Sequence, residues 1–263
     1  IWQEKNETAS RVRGRIESVL DWATVSKYRS GENPARWKGH LDKVLTAPSK
    51  TKKVKHYEAI PLEQLPQFME GLRKQQGVSP RALEFVILTA ARSGEVRGAT
   101  WCEINMETLI WTIPAERMKA GVEHRVPLSS AAVDLLQKLP RMEGTDLVFP
   151  GLKKQPLSDM SMTLVMRRME VTAVPHGFRS TFRDWAGEKT NYPRELAEHA
   201  LAHTLTSKVE AAYRRGDALE KRRVMMEDWA TFCKKKPPAD TGAQILGGLP
   251  TVTGEGDQKR LEH

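Results

Sequence analysis

The sequence of 263 residues is poor in cysteine and aromatic residues and has no long apolar run. Its two cysteines, Cys102 and Cys233, form no CxxC pair, which argues against a zinc finger. No secretory leader is visible, so we expect both to be reduced thiols in the core of a cytosolic protein. The longest largely apolar run, residues 85–91, is far shorter than the roughly 20 residues of a membrane-spanning helix. The sequence therefore predicts neither a membrane protein nor a disulfide-stabilised secreted one.

Acidic residues are in deficit as well. The chain has 42 Lys and Arg against 33 Asp and Glu, a net charge of +9. Residues 1–55 carry a net +7 and residues 138–236 a net +6, while the stretch between them is slightly acidic. Two basic blocks suggest two surfaces that grip one polyanion, with nucleic acid favoured over an anionic membrane. Solvated charged faces remain the alternative for either block.

The hydrophobic pattern predicts a mostly α-helical α+β protein with one small antiparallel sheet. Helices are expected over residues 8–27, 62–75 and 79–91, and over most of 158–236. In the helix at 79–91, Ser79 is expected to be the N-cap and Pro80 the first helical residue. Strands are expected at residues 109–114 and 124–128, joined by a turn at 119–121, and at 146–150.

Composition divides the chain into four parts. Residues 1–45 are predicted as a helical segment, 46–55 as a basic linker, 56–236 as the main domain and 237–263 as a mobile tail rich in Pro and Gly. Ile1 falls inside a helical pattern, so we expect the chain to be a fragment that lacks earlier structure. The last three residues resemble the start of an affinity tag.

Four separated segments carry the side chains that phosphate chemistry would use. They are Arg92 with Glu95 three residues later, Lys119 at the predicted hairpin turn, His176 with Arg179, and His203 with Tyr213 ten residues further on. Each alone has an ordinary structural explanation, such as a surface ion pair, a solvated lysine, a helix cap or a core tyrosine. Their order and spacing together favour one shared site.

The series Arg–Lys–His-x-x-Arg–His–Tyr resembles the tyrosine recombinases of the phage integrase type, over about residues 56–233. The strings GENPA, RMKAGVEHRVPLS, HGFRSTFRDWA and AAYRRGDALEKRRVMMEDWA are similar to integrases of prophages and genomic islands. The resemblance implies the catalytic fold of that family, and residues 1–45 look like the end of its helical core-binding domain. Two positions depart from the family pattern, because Ala90 and Ala202 stand where the first box and the LGH-type box usually have glycine.

The residue types suit attack on a DNA phosphodiester. Such an attack builds negative charge on the non-bridging oxygens, and guanidinium groups match that charge with two parallel hydrogen bonds. Arg92 and Arg179 are therefore candidates for holding the phosphate. His176 and His203 can donate further hydrogen bonds or relay a proton.

The resemblance implies the remaining roles. Tyr213 would be the nucleophile and form a 3′-phosphotyrosine that stores the energy of the broken bond, so that no ATP is needed. Lys119 would be the general acid that protonates the leaving 5′-hydroxyl. We expect Glu95 to orient Arg92 or a site histidine, with a simple surface ion pair as the alternative.

The predicted function is a site-specific DNA recombinase that integrates or excises a prophage or genomic island in the bacterial cytoplasm, in association with the nucleoid. Its expected partners are double-stranded DNA attachment sites, further copies of the chain in a homotetramer on DNA, and a directionality factor. Two alternatives stay open, a non-catalytic DNA-binding regulator and a type IB topoisomerase-like enzyme. His199 and His203 have metal-ligand spacing on a helix, but no HExxH pattern accompanies them, so we expect no metal and no other cofactor.

Other residues receive simpler assignments. Contacts to DNA phosphates are expected from Arg11, Arg13, Arg15, Lys50, Lys52, Lys53 and Lys55. Core positions are expected for Trp101, Trp111, Trp185 and Trp229. Met225 and Met226 mark the apolar face of the last helix, which either packs in its own domain or docks on a neighbouring protomer.

Overall fold

The computed structural model describes residues 1–47, 58–203 and 218–235. Its helices are α1 (Asn6–Val25), α2 (Leu65–Lys74), α3 (Val78–Thr89), α4 (Ser93–Arg97), α5 (Ser130–Gln137), α6 (Ser161–Arg168), α7 (Gly177–Glu188), α8 (Arg194–Ala200) and α9 (Leu219–Phe232). None of these helices is long and apolar enough to cross a membrane. One antiparallel sheet contains, in spatial order, β1 (Ile104–Asn105), β2 (Ile110–Ile113) and β3 (His124–Pro127). The predicted fold class, α+β and mostly helical with a small antiparallel sheet, is confirmed.

The chain folds into two compact units, Ile1–His56 and Tyr57–His263. In the first unit, Arg13 ties α1 to the loop that follows it. Its guanidinium donates to the Glu17 carboxylate (2.5 Å) and the Ala35 carbonyl (2.7 Å), and it lies over the Trp37 ring. Arg13 therefore stabilises this unit internally.

The core of the second unit surrounds α3. Residues 82–89 are all buried, because α2, α4, α5, α6 and α9 pack around this helix. The Trp229 indole donates to the Ile87 carbonyl (2.7 Å) and links α9 to α3. Since α9 also packs on β3 and α5, Met225 and Met226 are buried within their own unit, the first of the two alternatives for this helix.

Two of the predicted core positions are wrong. Trp101 is only partly buried, beneath the Arg141 guanidinium 4.6 Å from its ring centroid, and Cys102 is exposed. The reason is that the chain turns at the surface here into a short 3₁₀ helix, Trp101–Glu103. The remaining core predictions are confirmed for Trp111, Trp185, Trp229 and Cys233.

The start of α3 differs from the prediction by two residues. The helix begins at Val78, after Gly77, whose φ of 101° lies in the region that glycine adopts without strain. Ser79 therefore lies inside the helix and does not cap it. Helix α5 was not predicted, although Ser129 caps it by accepting a hydrogen bond from the Ala132 amide.

Residues 146–150 form no strand, contrary to the prediction. Leu147 makes only an isolated bridge with Thr100. Because the chain enters the 3₁₀ helix directly after Thr100, the pairing cannot extend into a ladder.

Candidate active site

Arg179, in the first turn of α7, is the centre of a side-chain cluster that joins segments distant in sequence. Only 4% of the residue is exposed. Its guanidinium donates to the carbonyls of Ala90 (2.6 Å) and Leu201 (2.5 Å), and its Nη2 lies 3.0 Å from Nε2 of His203. Its Nε is buried and has no hydrogen-bond partner among the described residues. The cluster therefore contains a buried cation with a donor still unused.

Arg92 enters the same cluster from the start of α4. Its Nη2 approaches the Ala202 carbonyl (3.4 Å), and its Nη1 donates to one oxygen of Glu95 (2.8 Å). The other Glu95 oxygen accepts from the Arg92 amide, also at 2.8 Å. Glu95 is buried, and its backbone carbonyl accepts from the Arg117 side chain. These contacts fix the direction in which the Arg92 guanidinium points.

Both arginines bind carbonyls at the end of α8. The amide of Ala202 donates to the His199 carbonyl (3.0 Å), and the amide of His203 donates to the Glu198 carbonyl (3.0 Å). With Ala202 in the left-handed conformation (φ 48°), this is a Schellman motif. The next carbonyls, of Leu201 and Ala202, are left to accept from the two guanidinium groups. The negative end of the helix dipole offsets part of their charge.

His203 has a partner at each ring nitrogen. Its Nδ1 lies 2.6 Å from Oε2 of Glu198, and its Nε2 faces Arg179. The side chain is 40% exposed, whereas Arg179 beside it is buried. His203 therefore lies where the cluster opens to solvent.

His176 precedes α7 and is exposed near the same opening. Its pKa is lowered, first by partial burial and then by the positive charges of Arg179, Arg92, His203 and Lys119. The ring is therefore neutral near neutral pH. Lys119 is exposed on the connection between β2 and β3. Its ammonium group is close enough to the His176 ring for its charge to help lower the pKa of that ring.

Gly177 allows α7 to begin where it does. A Cβ at this position would lie 2.3 Å from the Glu58 carbonyl oxygen and 3.1 Å from Cα of Ala59. A larger residue would push the start of α7 away from this segment. The close approach therefore sets the position of His176, which directly precedes the helix.

His124, the first residue of β3, supports the cluster from the sheet. Its ring donates a hydrogen bond to the Ala200 carbonyl, at the end of α8. Burial, and after it the positive charge of Arg222, lowers its pKa to about 4 against the opposing effects of Glu95 and of the hydrogen bond to Ala200. The imidazole is therefore a neutral donor that holds a third carbonyl at the end of α8.

Comparison with known proteins identifies this arrangement. A sequence profile of the phage integrase family matches residues 58–220, and one of the phage integrase central domain matches residues 1–40. The chain belongs to the phage integrase family. The resemblance to tyrosine recombinases that the motifs indicated is thereby confirmed.

Two curated relatives are similar over most of the chain. Prophage integrase IntA of Escherichia coli K12 is 33% identical over 253 residues, which cover 94% of this chain and 58% of that protein. Prophage integrase IntZ of the same strain is 34% identical over 229 residues, covering 85% and 55%. The chain thus spans a little over half the length of these relatives.

A solved structure shares the fold. The lambda integrase dimer bound to a core site has a TM-score of 0.56 and 16% identity, over 76% of this chain and 73% of that one. The match confirms the predicted tyrosine recombinase fold.

The predicted catalytic residues fall into three groups. Arg92, Arg179 and His203 meet at the end of α8, and His176 and Lys119 are within electrostatic range of one another. Tyr213 lies outside the described residues. Among the described residues, no group of three or more His, Cys, Asp or Glu side chains could hold a metal ion.

The predicted DNA-contact residues are placed only in part. Arg11 is exposed and pairs with Glu7 (2.5 Å), Arg13 is turned into its own unit, and Arg15 is exposed. Lys50, Lys52, Lys53 and Lys55 lie outside the described residues.

Glu198 and His124 were missed by the sequence analysis. Glu198 precedes His203 by five residues across the end of a helix. Helical periodicity predicts contacts between residues three or four apart, so it does not predict this one. His124 lies in a strand whose alternating pattern gives it no special status. His124 lies inside RMKAGVEHRVPLS, one of the strings that carried the family resemblance, whereas Glu198 lies just before the LGH-type box and had no such signal.

Proposed function

We propose that the protein is a site-specific DNA recombinase that cleaves and rejoins DNA through a covalent 3′-phosphotyrosine at Tyr213, and so integrates or excises a prophage or genomic island. The observation that carries this proposal is the meeting of Arg92, Arg179 and His203 at the end of α8, with a buried donor of Arg179 unused. Family membership supports the same reaction.

The electrostatics of the cluster favour an anionic ligand. Burial and the charge of Arg92 lower the pKa of Arg179 to about 10, so this guanidinium is short of compensating negative charge. Glu95 and Glu198 offset only part of the deficit. A phosphodiester would supply the missing charge and accept from the unused Nε, while a buried cation without such a partner is costly.

In the proposed cleavage step, the Tyr213 oxygen forms a bond to phosphorus and the bond from phosphorus to the 5′-oxygen breaks. His176, neutral because its pKa is lowered, is suited to accept the proton of the phenol. Lys119 gives a proton to the departing 5′-oxygen, and the two arginines hold the charge that builds on the non-bridging oxygens. Rejoining reverses these transfers.

The partners of the reaction are proposed as well. Known structures of lambda integrase are described as a dimer bound to a core site and a tetramer bound to a Holliday junction. We propose that this chain likewise acts as a homotetramer on paired attachment sites in the bacterial cytoplasm, with a directionality factor choosing between integration and excision. Residues 1–45 and the lysines of residues 46–55 would contact DNA phosphates, so raising salt from about 50 to 200 mM should weaken binding by orders of magnitude.

The proposal is tested with a nicked suicide substrate made from the DNA that flanks the encoding gene. Wild-type protein should form a covalent protein–DNA band, and Tyr213→Phe should abolish the band while DNA binding persists. A band that persists in Tyr213→Phe would refute the nucleophile. Binding without a band in the wild type would favour the regulator, and relaxation of supercoiled plasmid without an attachment site would favour the topoisomerase.

A further inference from the structure

We propose that Glu198 is a positioning residue of this site, whose carboxylate fixes the His203 ring so that Nε2 faces Arg179 and the phosphate bound there. The inference rests on the proposed function and extends it to a residue that the sequence motifs did not indicate. Glu198 does not contact the reacting atoms itself. It acts through His203.

The hydrogen bonds determine which ring nitrogen carries the proton. A guanidinium group has only donors, so Nε2 of His203, 3.0 Å from Arg179 Nη2, must be the acceptor. The proton of the neutral ring is therefore on Nδ1, and the Glu198 carboxylate accepts it at 2.6 Å. A carboxylate in this position sets both the tautomer and the plane of the imidazole.

Glu198 is itself held in place. Its side chain is only 12% exposed, and its Oε1 lies 3.0 Å from Nε of Arg183 on α7. Its backbone carbonyl accepts from the His203 amide in the Schellman motif (3.0 Å). Residues 198 and 203 are thus joined through both backbone and side chain, which limits rotation of the imidazole.

A purely structural role predicts a different behaviour. If Glu198 served only to tie α8 to α7 through Arg183, its loss would lower stability and act independently of His203. If it positions the ring, its loss should lower cleavage through His203 alone. Double-mutant cycles separate these two cases.

The test compares two replacements of similar length in the full chain. Glu198→Gln keeps an oxygen that can accept from Nδ1, whereas Glu198→Met removes it. We expect Glu198→Met to reduce the rate of covalent complex formation by about 10–100-fold, the usual size of such supporting contacts, with DNA affinity and melting temperature nearly unchanged. Glu198→Gln should restore a rate close to the wild type.

In the His203→Ala background, Glu198→Met should reduce the residual rate no further. Glu195→Met, the same replacement three residues earlier in α8, is the matched control and should leave the rate unchanged. The proposal is overturned if Glu198→Met cleaves at the wild-type rate, if Gln and Met are equally slow, or if the loss persists in the His203→Ala background.

A second measurement does not depend on cleavage. Heteronuclear NMR of the imidazole in DNA-free protein should place the proton of neutral His203 on Nδ1, in a hydrogen-bonded signal that Glu198→Met loses. A proton on Nε2 would overturn the proposal. Absence of the covalent band in the wild type would instead refute the proposed function, and the NMR measurement would still test whether Glu198 fixes the His203 ring.

Discussion

Replacing Ala90 or Ala202 by glycine should stabilise the protein. Ala90 follows α3 with φ of 52°, and Ala202 closes α8 with φ of 48°. Both lie in the left-handed region, where the Cβ of an L-residue is crowded, and both are positions at which family members usually have glycine. The departure of this sequence from the family pattern therefore carries a conformational cost at each position.

The size of the effect follows from two opposing contributions. The left-handed conformation costs an alanine roughly 1–2 kcal/mol. Glycine removes that cost but also lowers the free energy of unfolding by about 0.4–1 kcal/mol, because the unfolded chain gains conformational freedom. Each substitution should therefore raise the free energy of unfolding by about 0.5–1 kcal/mol, which for a domain of this size is about 1–4 °C in melting temperature.

Urea and thermal unfolding provide the assay, with Ala186→Gly as the matched control. Ala186 lies within α7, where glycine should lower stability by about 1 kcal/mol or more. The double variant Ala90→Gly/Ala202→Gly should also be more stable than the wild type, but not by the simple sum, because Arg179 binds both the Ala90 carbonyl and the carbonyl of Leu201, next to Ala202. If the two variants lost as much stability as the control, the strain argument would be refuted.

Three further predictions concern other buried or exposed groups. The pKa of His124 is 6.5 in the unfolded chain and about 4 in the folded protein, so the unfolded state takes up a proton first as the pH falls. The free energy of unfolding should therefore fall by up to about 3 kcal/mol between these two pH values, and His124→Asn should show a smaller pH dependence of this free energy. Cys102 is exposed and should react with a thiol reagent in native protein, whereas Cys233, buried and with its pKa raised, should react only on unfolding; Cys102→Ser should remove the native labelling. Arg222→Met should lower the free energy of unfolding by about 1–3 kcal/mol, because it removes the buried hydrogen bond that Arg222 donates to the Arg125 carbonyl (2.7 Å). An unchanged urea midpoint would contradict this.

The fold class and the family could be predicted from the sequence because both depend on local signals. The period of the apolar residues marked α1, α2 and most of α3, and the alternation at residues 110–113 and 124–127 marked two of the strands. The failures occurred where tertiary contacts decide the outcome. Residues 146–150 have a strand-like composition, but they make only two isolated bridges, Leu147 with Thr100 and Pro150 with Pro156, and these do not join into a ladder.

Apart from Glu95, the groups that support the site were beyond sequence reasoning for a related reason. Arginine and histidine are recognised in a motif because their chemistry is distinctive, but Arg92 and Arg179 are also held by backbone carbonyls at the end of α8. Carbonyls have no sequence signature. Their directions depend on how the helix ends, and that in turn depends on φ at a single residue.

Ala202 shows how far this dependence extends. Its side chain is one methyl group, yet its left-handed φ turns its own carbonyl toward Arg92 and places the His203 amide on the Glu198 carbonyl. A residue that resists positive φ, such as valine, would have to unwind this turn. Ala202→Val should therefore reduce cleavage more than it reduces stability, whereas Ala202→Gly should preserve cleavage while raising stability. If valine at this position cleaved DNA at the wild-type rate, the end of α8 would not be what orients the two arginines.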